Sequence, residues 1–272
     1  MIAAIQMTSG AEVAANLASA GRLLAEARTQ GAELAVLPEN FALMGARESD
    51  KLAVAEGEGA GPIQDFLADA ARRLAMWIVA GTVPLKTREA NRVAAACLVF
   101  DAGGVRVARY DKIHLFDVDI TRGDPEGVER YRESASIAPG PLDAVVVDTP
   151  LGKLGLSVCY DLRFPELFRA LTAAGAEILA VPSAFTERTG AAHWDVLLRA
   201  RAIENQCYVV APGQWGTHPG GRRTFGHSMI VDPWGRVLAQ RETGEGVVVA
   251  SVPREPLAQL RRTFPVLQHR RL

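Results

Sequence analysis

The sequence has no excess of positive or negative charge. Its 272 residues contain 30 lysines and arginines against 31 aspartates and glutamates, giving a formal net charge of −1. Nucleic acids and anionic membranes attract proteins with a basic face, so we expect neither as a partner. No apolar run reaches the length of a membrane span, and residues 1–7 read as a strand rather than as a signal peptide. The composition predicts a soluble protein.

Cysteine is also scarce. Cys97, Cys159 and Cys207 are an odd number of thiols without the pairwise spacing of a metal site, which predicts free thiols in a reducing cytoplasm. The five histidines show no His-x-x-x-His spacing, and the glycines at 57–61 follow no strand and open no phosphate-binding loop. We therefore expect neither a metal nor another cofactor.

Helical and strand patterns are mixed along the chain. Apolar residues at helical spacing predict helices across 14–31, 62–74, 165–174 and 191–205. Short apolar runs between turn residues predict strands at 2–7, 34–38, 77–83, 92–100, 105–110, 144–149, 153–159, 178–182, 208–212, 226–232, 237–240 and 247–252. This mixture predicts an α/β protein in which helices cover mixed sheets. Because no linker divides the chain, we expect a single domain over 1–272.

Cys159 lies where an apolar, strand-like run gives way to a helix that begins at Pro165. A sulfur at such a turn has the backbone N–H groups of the coming helix nearby. These groups favour a thiolate and can hold a developing oxyanion. A lone cysteine is more often a buried core residue, so the position alone leaves both readings open.

Two further segments place a charged group at the end of a predicted strand. Glu39 follows the apolar run 34–37 and Pro38, and Lys112 follows the run 105–110. The carboxyl ends of strands are where α/β sheets usually hold their sites. Together with Cys159 these residues supply a nucleophile, a base and a cation for an oxyanion.

Five ordered blocks resemble the nitrilase superfamily of carbon–nitrogen hydrolases, whose members use a Glu-Lys-Cys triad. The blocks cover residues 37–39, 112–118, 158–166, 192–204 and 226–235. The resemblance implies that Cys159 is the nucleophile, Glu39 the general base and Lys112 the oxyanion cation. It also implies a four-layer α-β-β-α sandwich and a homodimer or higher homo-oligomer. The C-terminal segment 263–272, apolar and basic after Pro265, is expected to dock on the partner; the alternative is a tail on its own subunit.

The family also has a second glutamate near its site. The segment Arg132-Glu133-Ser134, followed by Pro139-Gly140, resembles the segment that carries it. We therefore expect Glu133 to be this residue, with Glu126 and Glu129 as the competitors.

The resemblance extends to the branch that contains deaminated-glutathione amidase and omega-amidase, through blocks at 189–194, 202–208 and 225–229. It implies a small amide substrate that carries a carboxylate, and arginine grips a carboxylate through two parallel hydrogen bonds. Expected substrate-binding residues are Tyr160, Arg163, Ser183, Phe185, Arg188, Thr189 and Arg223. The glycine-rich run 216–223 is expected to be a mobile loop.

Other functions remain open from the sequence. A Cys-His enzyme would use His114 or His227 as its base, and Arg163 would be structural if it paired with Asp161 or Glu166. A nitrilase or an N-carbamoyl amino acid hydrolase would use the same triad on another bond. The non-enzyme alternative is a scaffold protein whose site has no catalytic activity.

Overall fold

The computed structural model describes residues 1–120 and 129–271. Its α-helices are α1 (Val13–Thr29), α2 (Pro62–Leu74), α3 (Pro165–Ala173), α4 (Glu187–Asn205) and α5 (Arg254–Thr263). Short 3₁₀ helices cover Glu48–Val54, Glu133–Ala135, Cys159–Arg163, Pro219–Gly221 and Val266–His269. None of the helices in these residues combines the length and the apolar character that crossing a membrane requires.

The strands follow one another along the chain between these helices. They are β1 (Ile2–Gln6), β2 (Leu34–Val36), β3 (Trp77–Val79), β4 (Val83–Lys86), β5 (Val93–Phe100), β6 (Arg106–Asp111), β7 (Asp117–Ile120), β8 (Glu129–Arg132), β9 (Ile137–Ala138), β10 (Val146–Thr149), β11 (Gly152–Leu156), β12 (Ile178–Ala180), β13 (Tyr208–Ala211), β14 (Trp215–Thr217), β15 (Arg223–Phe225), β16 (Ser228–Val231), β17 (Val237–Arg241) and β18 (Gly246–Ala250).

Two mixed sheets form the centre of the molecule. The first has the order β18-β1-β2-β3-β5-β4, with β6 and β9 also paired to β5. The second has the order β10-β11-β12-β13-β16-β17. In each sheet neighbouring strands run parallel where a helix connects them, as in β1–β2 and β12–β13. Two further hairpins, β7–β8 and β14–β15, stand apart from the sheets.

The side chains of β1 point alternately into two different cores, which shows how the layers stack. Ala3 and Ile5 belong to the core formed with α1 and α2, whereas Ile2 and Ala4 belong to the core shared with the second sheet. Successive side chains of a strand point to opposite faces, so both faces of this sheet are covered. Helices α3 and α4 cover the second sheet, with Phe168 and Leu198 buried against it. The predicted four-layer α-β-β-α sandwich is confirmed.

The predicted strand 77–83 is wrong in one respect, because it is two strands, β3 and β4. Between them Gly81 has φ of 57° and lies so close to the preceding loop that a Cβ would be 2.0 Å from the carbonyl oxygen of Pro38. Only glycine fits this conformation and this contact. Thr82 then accepts the backbone N–H of Asn40 on its Oγ1 at 2.8 Å, which fixes the loop that carries Glu39.

The C-terminal segment contains a helix that the sequence pattern did not predict. Helix α5 buries mainly Leu257 and is otherwise mostly polar or charged, so few apolar residues mark it in the sequence. The guanidinium of Arg261 donates to the carbonyl oxygens of Ala176 and Gln206, each at 2.8 Å. The Gln206 amide donates to the carbonyl oxygen of Phe264 at 2.8 Å. Helix α5 and Phe264 therefore rest on their own subunit, and docking of the segment 263–272 on a partner stays a prediction.

Candidate active site

Three chain segments bring the candidate side chains together. Glu39 follows β2 and Lys112 follows β6, both in the first sheet, whereas Cys159 follows β11 in the second sheet. All three side chains are buried, at 3%, 1% and 7% exposure, yet each lines the same pocket. The site therefore lies where the two sheets meet, at the carboxyl ends of their strands.

The Lys112 ammonium is the centre of the cluster. Its Nζ donates to Oε1 of Glu39 at 2.7 Å and to both carboxylate oxygens of Glu133 at 2.8 Å. Burial would lower the pKa of Lys112, but the Glu133 and Glu39 carboxylates outweigh it and raise this pKa well above its usual value. Lys112 is therefore a permanent cation, held between two carboxylates.

The backbone at Cys159 adopts an uncommon conformation, with φ of 50°. A side chain in this left-handed region is strained, and such residues cluster at functional turns. The Cys159 N–H donates to the carbonyl oxygen of Pro182 at 2.9 Å. The Glu39 carboxylate and the backbone N–H of Ala184 both act on the pKa of its thiol, the first raising it and the second lowering it. The turn thus places the sulfur in the same pocket as Glu39.

The protonation state of Cys159 differs from the thiolate that the sequence predicted. Burial, supported by the negative charge of Glu39, raises the pKa of Cys159, against the opposing effect of Lys112. Burial also opposes ionisation of Glu39, but Lys112 and the hydrogen bonds outweigh it and hold the pKa of this carboxyl below its usual value. The free site contains a thiol and a carboxylate, not the thiolate expected from the turn amides. Glu39 is placed to take the thiol proton when the sulfur attacks.

Glu133 begins the 3₁₀ helix after β8, and its second oxygen also accepts the backbone N–H of Phe116 at 2.7 Å. Of its competitors, Glu129 lies in β8, accepts the Tyr131 hydroxyl at 3.1 Å and does not line the pocket. Glu126 lies outside the described residues. Among the described residues, Glu133 is thus the glutamate beside Glu39 and Lys112.

Asp161 connects the Lys112 and Cys159 segments, a role that sequence reasoning missed. The fully buried carboxylate accepts the Tyr110 hydroxyl at 2.6 Å and the backbone N–H of Val158 at 2.8 Å. It also accepts the Nδ1–H of His114 at 2.7 Å and that residue's backbone N–H at 3.1 Å. One carboxylate therefore holds the loop after β6 against the turn at Cys159.

A pocket opens above the cluster. Four of the predicted substrate-binding residues line it, namely Tyr160, Arg163, Phe185 and Thr189. The structure does not bring the other three there. The Ser183 hydroxyl is buried and donates to the carbonyl oxygen of Val181 at 3.0 Å, Arg188 is exposed, and Arg223 pairs with Glu187 at the surface at 2.7 Å.

Nine further residues line the pocket and were not among the predicted site residues. They are Asn40, Glu48, Lys51, Phe116, Tyr131, Arg132, Ala184, Thr186 and Arg222. The last lies in the run 216–223, which forms β14, a 3₁₀ helix and the start of β15 rather than a simple loop. Most of these residues stand in short irregular elements, where neither helical nor strand periodicity marks a side chain as inward-facing.

Arg163 differs from the other cations of the pocket. Lys51 and Arg222 both pair with Glu48, and Arg132 pairs with Asp119 at 2.8 Å. Within residues 1–120 and 129–271, no carboxylate forms an ion pair with Arg163. Its Nη1 donates instead to Nδ1 of His193 at 3.2 Å. The pairing with Asp161 or Glu166 that would make Arg163 structural is not formed.

The two candidate histidine bases lie away from the pocket. His114 is held by Asp161 and stacks on Phe164 with ring centroids 3.7 Å apart. His227 stacks on Phe225 at 3.9 Å. In the described part of the chain, no group of three histidine, cysteine or carboxylate side chains is placed to hold a metal ion. The Glu39 carboxylate, unlike these histidines, lines the pocket that holds the sulfur.

Comparison with known proteins agrees with this chemistry. Residues 1–262 match the family model described as carbon-nitrogen hydrolase. The chain is 45% identical over 271 residues to the deaminated glutathione amidase of Yersinia enterocolitica, covering 99% of this chain and 92% of that protein. It is 43% identical over 274 residues to the human protein of the same name, covering 100% of this chain and 82% of that one.

A solved structure shows the same fold. The crystal structure of the Caenorhabditis elegans NitFhit protein superposes with a TM-score of 0.90 at 39% identity. The match covers 99% of this chain and 64% of that one, so the present chain spans about two thirds of the worm protein.

Proposed function

Because this chain belongs to the carbon-nitrogen hydrolase family, we propose that it is the amidase for a small carboxylated amide of the deaminated glutathione type. The observation that carries the proposal is one pocket that holds the Cys159 thiol beside Glu39 and Lys112, with the unpaired Arg163 guanidinium on its wall. The two curated relatives described above are named for this substrate.

The proposed reaction begins with transfer of the Cys159 proton to Glu39. The sulfur forms a bond to the amide carbon, and the carbonyl electron pair moves to oxygen. The Lys112 ammonium and the backbone N–H of Tyr160 hold this oxyanion. As Glu39 becomes neutral, its attraction for Lys112 weakens, so the ammonium turns from Glu39 to the new negative charge. Loss of one such donor typically costs on the order of 3 kcal/mol in barrier.

The second half of the reaction releases the products. The carbonyl re-forms, the carbon–nitrogen bond breaks, and the leaving amine takes the proton from Glu39. Water then attacks the thioester while Glu39 accepts one of its protons. Collapse expels the sulfur, which regains its proton, and leaves a carboxylic acid. Glu133 keeps Lys112 in place throughout, since it accepts two of the ammonium hydrogen bonds.

A panel of substrates tests the proposal. We expect deaminated glutathione to be hydrolysed faster than propionamide and its matched nitrile, because an amide without a carboxylate leaves Arg163 unpaired. A 2-oxo-dicarboxylic monoamide and an N-carbamoyl amino acid represent the alternatives. Equal rates on propionamide and deaminated glutathione would contradict the assignment. Arg163→Met should weaken the preference, whereas Arg188→Met, at an exposed position outside the pocket, should keep it.

Self-association is the second part of the proposal. Trp234, Phe264 and Ile203 are exposed at 56%, 51% and 50%, and the first two rings lie 5.9 Å apart. Large apolar side chains grouped in this way favour a contact with another subunit. We therefore propose that this single domain forms a homodimer and that the dimer interface covers this surface. Sedimentation that finds a monomer at micromolar concentration would reject it.

The proposed compartment is the cytoplasm. All three cysteines are free and buried, and a reducing compartment keeps a nucleophilic thiol such as Cys159 from forming a disulfide. Fractionation of cells that express a tagged chain would test this location.

A further inference from the structure

A row of aromatic rings runs along the pocket wall with an arginine at each end. The Phe116 ring lies 5.1 Å from the Tyr160 ring and 5.0 Å from the Tyr131 ring. The Arg163 guanidinium stands 5.8 Å from the Tyr160 ring centre, and the Arg222 guanidinium stands 5.5 Å from that of Tyr131. All five side chains line the pocket above Cys159.

Arg222 is held rigidly in this position. Its Nη1 donates to Oε1 of Glu48 at 2.9 Å, and its Nη2 donates to the carbonyl oxygen of Ala184 at 3.1 Å. Its Nε is buried and has no hydrogen-bond partner among the described residues. The guanidinium is therefore fixed by two of its nitrogens, and its buried Nε–H is left without an acceptor.

The charges around Arg222 favour an additional anion. The Glu48 carboxylate carries one negative charge and pairs with two cations, Lys51 and Arg222. Lys51, against the opposing effect of burial, lowers the pKa of Glu48 to about 2, so this carboxylate remains ionised at any working pH. Glu48, Lys51 and Arg222 together therefore carry one net positive charge at this end of the pocket, whereas Lys112 with Glu39 and Glu133 carries one net negative charge beside Cys159.

We propose that Arg222 is a second carboxylate-binding residue, and that this site accepts amides with one carboxylate on each side of the bond that is cut. This inference rests on the proposed amidase function. Arg163 and Arg222 would each take one carboxylate, while the apolar body of the substrate lies along the rings between them. Deaminated glutathione has this character, with a 2-oxo acid at one end and a glycine carboxylate at the other. A 2-oxo-dicarboxylic monoamide has only the first.

The test compares one dianionic substrate with its two monoanionic counterparts. The dianion is deaminated glutathione. The monoanions are 2-oxoglutaramate, charged on the acyl side, and butyryl-cysteinylglycine, charged on the leaving side. The enzymes are wild type, Arg222→Met, Arg222→Lys and the control Arg223→Met, whose side chain is 63% exposed and pairs with Glu187 outside the pocket.

We expect Arg222→Met to lower kcat/KM for the dianion about 10- to 100-fold, mainly through KM, the scale of a lost charge-assisted hydrogen bond. The same variant should lower kcat/KM for one monoanion by a similar factor and leave the other nearly unchanged. Arg163→Met should show the reverse pattern. Arg222→Lys should retain part of the affinity for the dianion, and it also serves as the test variant if Arg222→Met fails to fold. Arg223→Met should match wild type on all three substrates.

Three results would contradict the proposal that Arg222 binds a second carboxylate. They are an unchanged KM for the dianion in both Arg222 variants, an equal loss on both monoanions, and a loss confined to kcat. The last two would make Arg222 a structural support of the Ala184 peptide. A wild-type enzyme that prefers the dianion to propionamide would keep the amidase proposal intact in each of these cases. Absence of that preference would instead remove the proposed function itself.

Discussion

Replacing Lys112 with methionine leaves two buried carboxylates without their shared cation. Glu39 and Glu133 are only 3% and 7% exposed, and both oxygens of Glu133 contact the ammonium. Breaking a buried ion pair by removing one partner typically costs about 3–5 kcal/mol. In a chain of this size that loss corresponds to a fall in Tm of roughly 6–20 °C at neutral pH. Turnover should also be abolished, because the oxyanion loses its cation.

The loss of stability in Lys112→Met should grow with pH. In the wild type, Lys112 outweighs burial and lowers the pKa of Glu39, so this contribution is present above the unfolded pKa and is lost as pH falls. In the variant burial acts without Lys112 and raises the pKa of Glu39 above its unfolded value, so stability is lost as pH rises. The difference in Tm between the two proteins is therefore largest at pH 8 and smallest near pH 4.5.

Thermal unfolding followed by circular dichroism at these two pH values measures the effect. Lys153→Met is the matched control, since Lys153 pairs with Asp148 at 3.0 Å but the two side chains are 47% and 83% exposed. Surface pairs of this kind contribute little to stability, so its Tm should hardly change. A Tm of Lys112→Met equal to that of Lys153→Met at pH 8 would refute the reasoning, as would a loss that is independent of pH.

Three other predictions concern the chemistry. Cys159→Ala should abolish turnover and remove the acyl adduct seen by mass spectrometry of quenched reactions, while Cys97→Ala and Cys207→Ala keep both; an adduct on Cys207 would reject the nucleophile. Because Lys112 outweighs burial and holds the pKa of Glu39 below 4.5, kcat/KM should fall only as pH drops below that value; an acid limb near pH 6.5 would indicate a histidine base instead. Asp161→Asn should lower both Tm and kcat, since the amide cannot accept all four hydrogen bonds; wild-type kcat in a folded variant would remove its positioning role.

The meeting of the three candidate catalytic residues in one pocket was predictable because each follows a recognisable strand. Glu39, Lys112 and Cys159 end apolar runs, and a sheet gathers the carboxyl ends of its strands at one edge. The sandwich itself followed from the resemblance to a known family, and the first and second sheets confirm it. The boundaries of most helices and strands agree within a few residues, which is the precision that periodicity allows.

The pocket wall was harder to predict because ion pairs between distant loops leave no local pattern. Glu48 and Arg222 are 174 positions apart, and each belongs to a short irregular segment. The sequence suggested Asp161 as a possible partner of Arg163, yet its carboxylate accepts hydrogen bonds from Tyr110 in β6 and from His114 in the loop that follows, about fifty positions earlier. Such contacts depend on the packing of whole elements, which a single sequence does not specify.

The meeting of the two sheets at the site has a consequence for how the enzyme fails on heating. Glu39 and Lys112 move with one sheet and Cys159 with the other, so the distance from sulfur to base is set by the apolar layer between them. A substitution in that layer, such as Ile2→Val, lies far from the reacting bond but changes the spacing of the sheets. Turnover should therefore decline at a lower temperature than that at which secondary structure is lost. The rate of catalysis then reports the spacing between the two sheets.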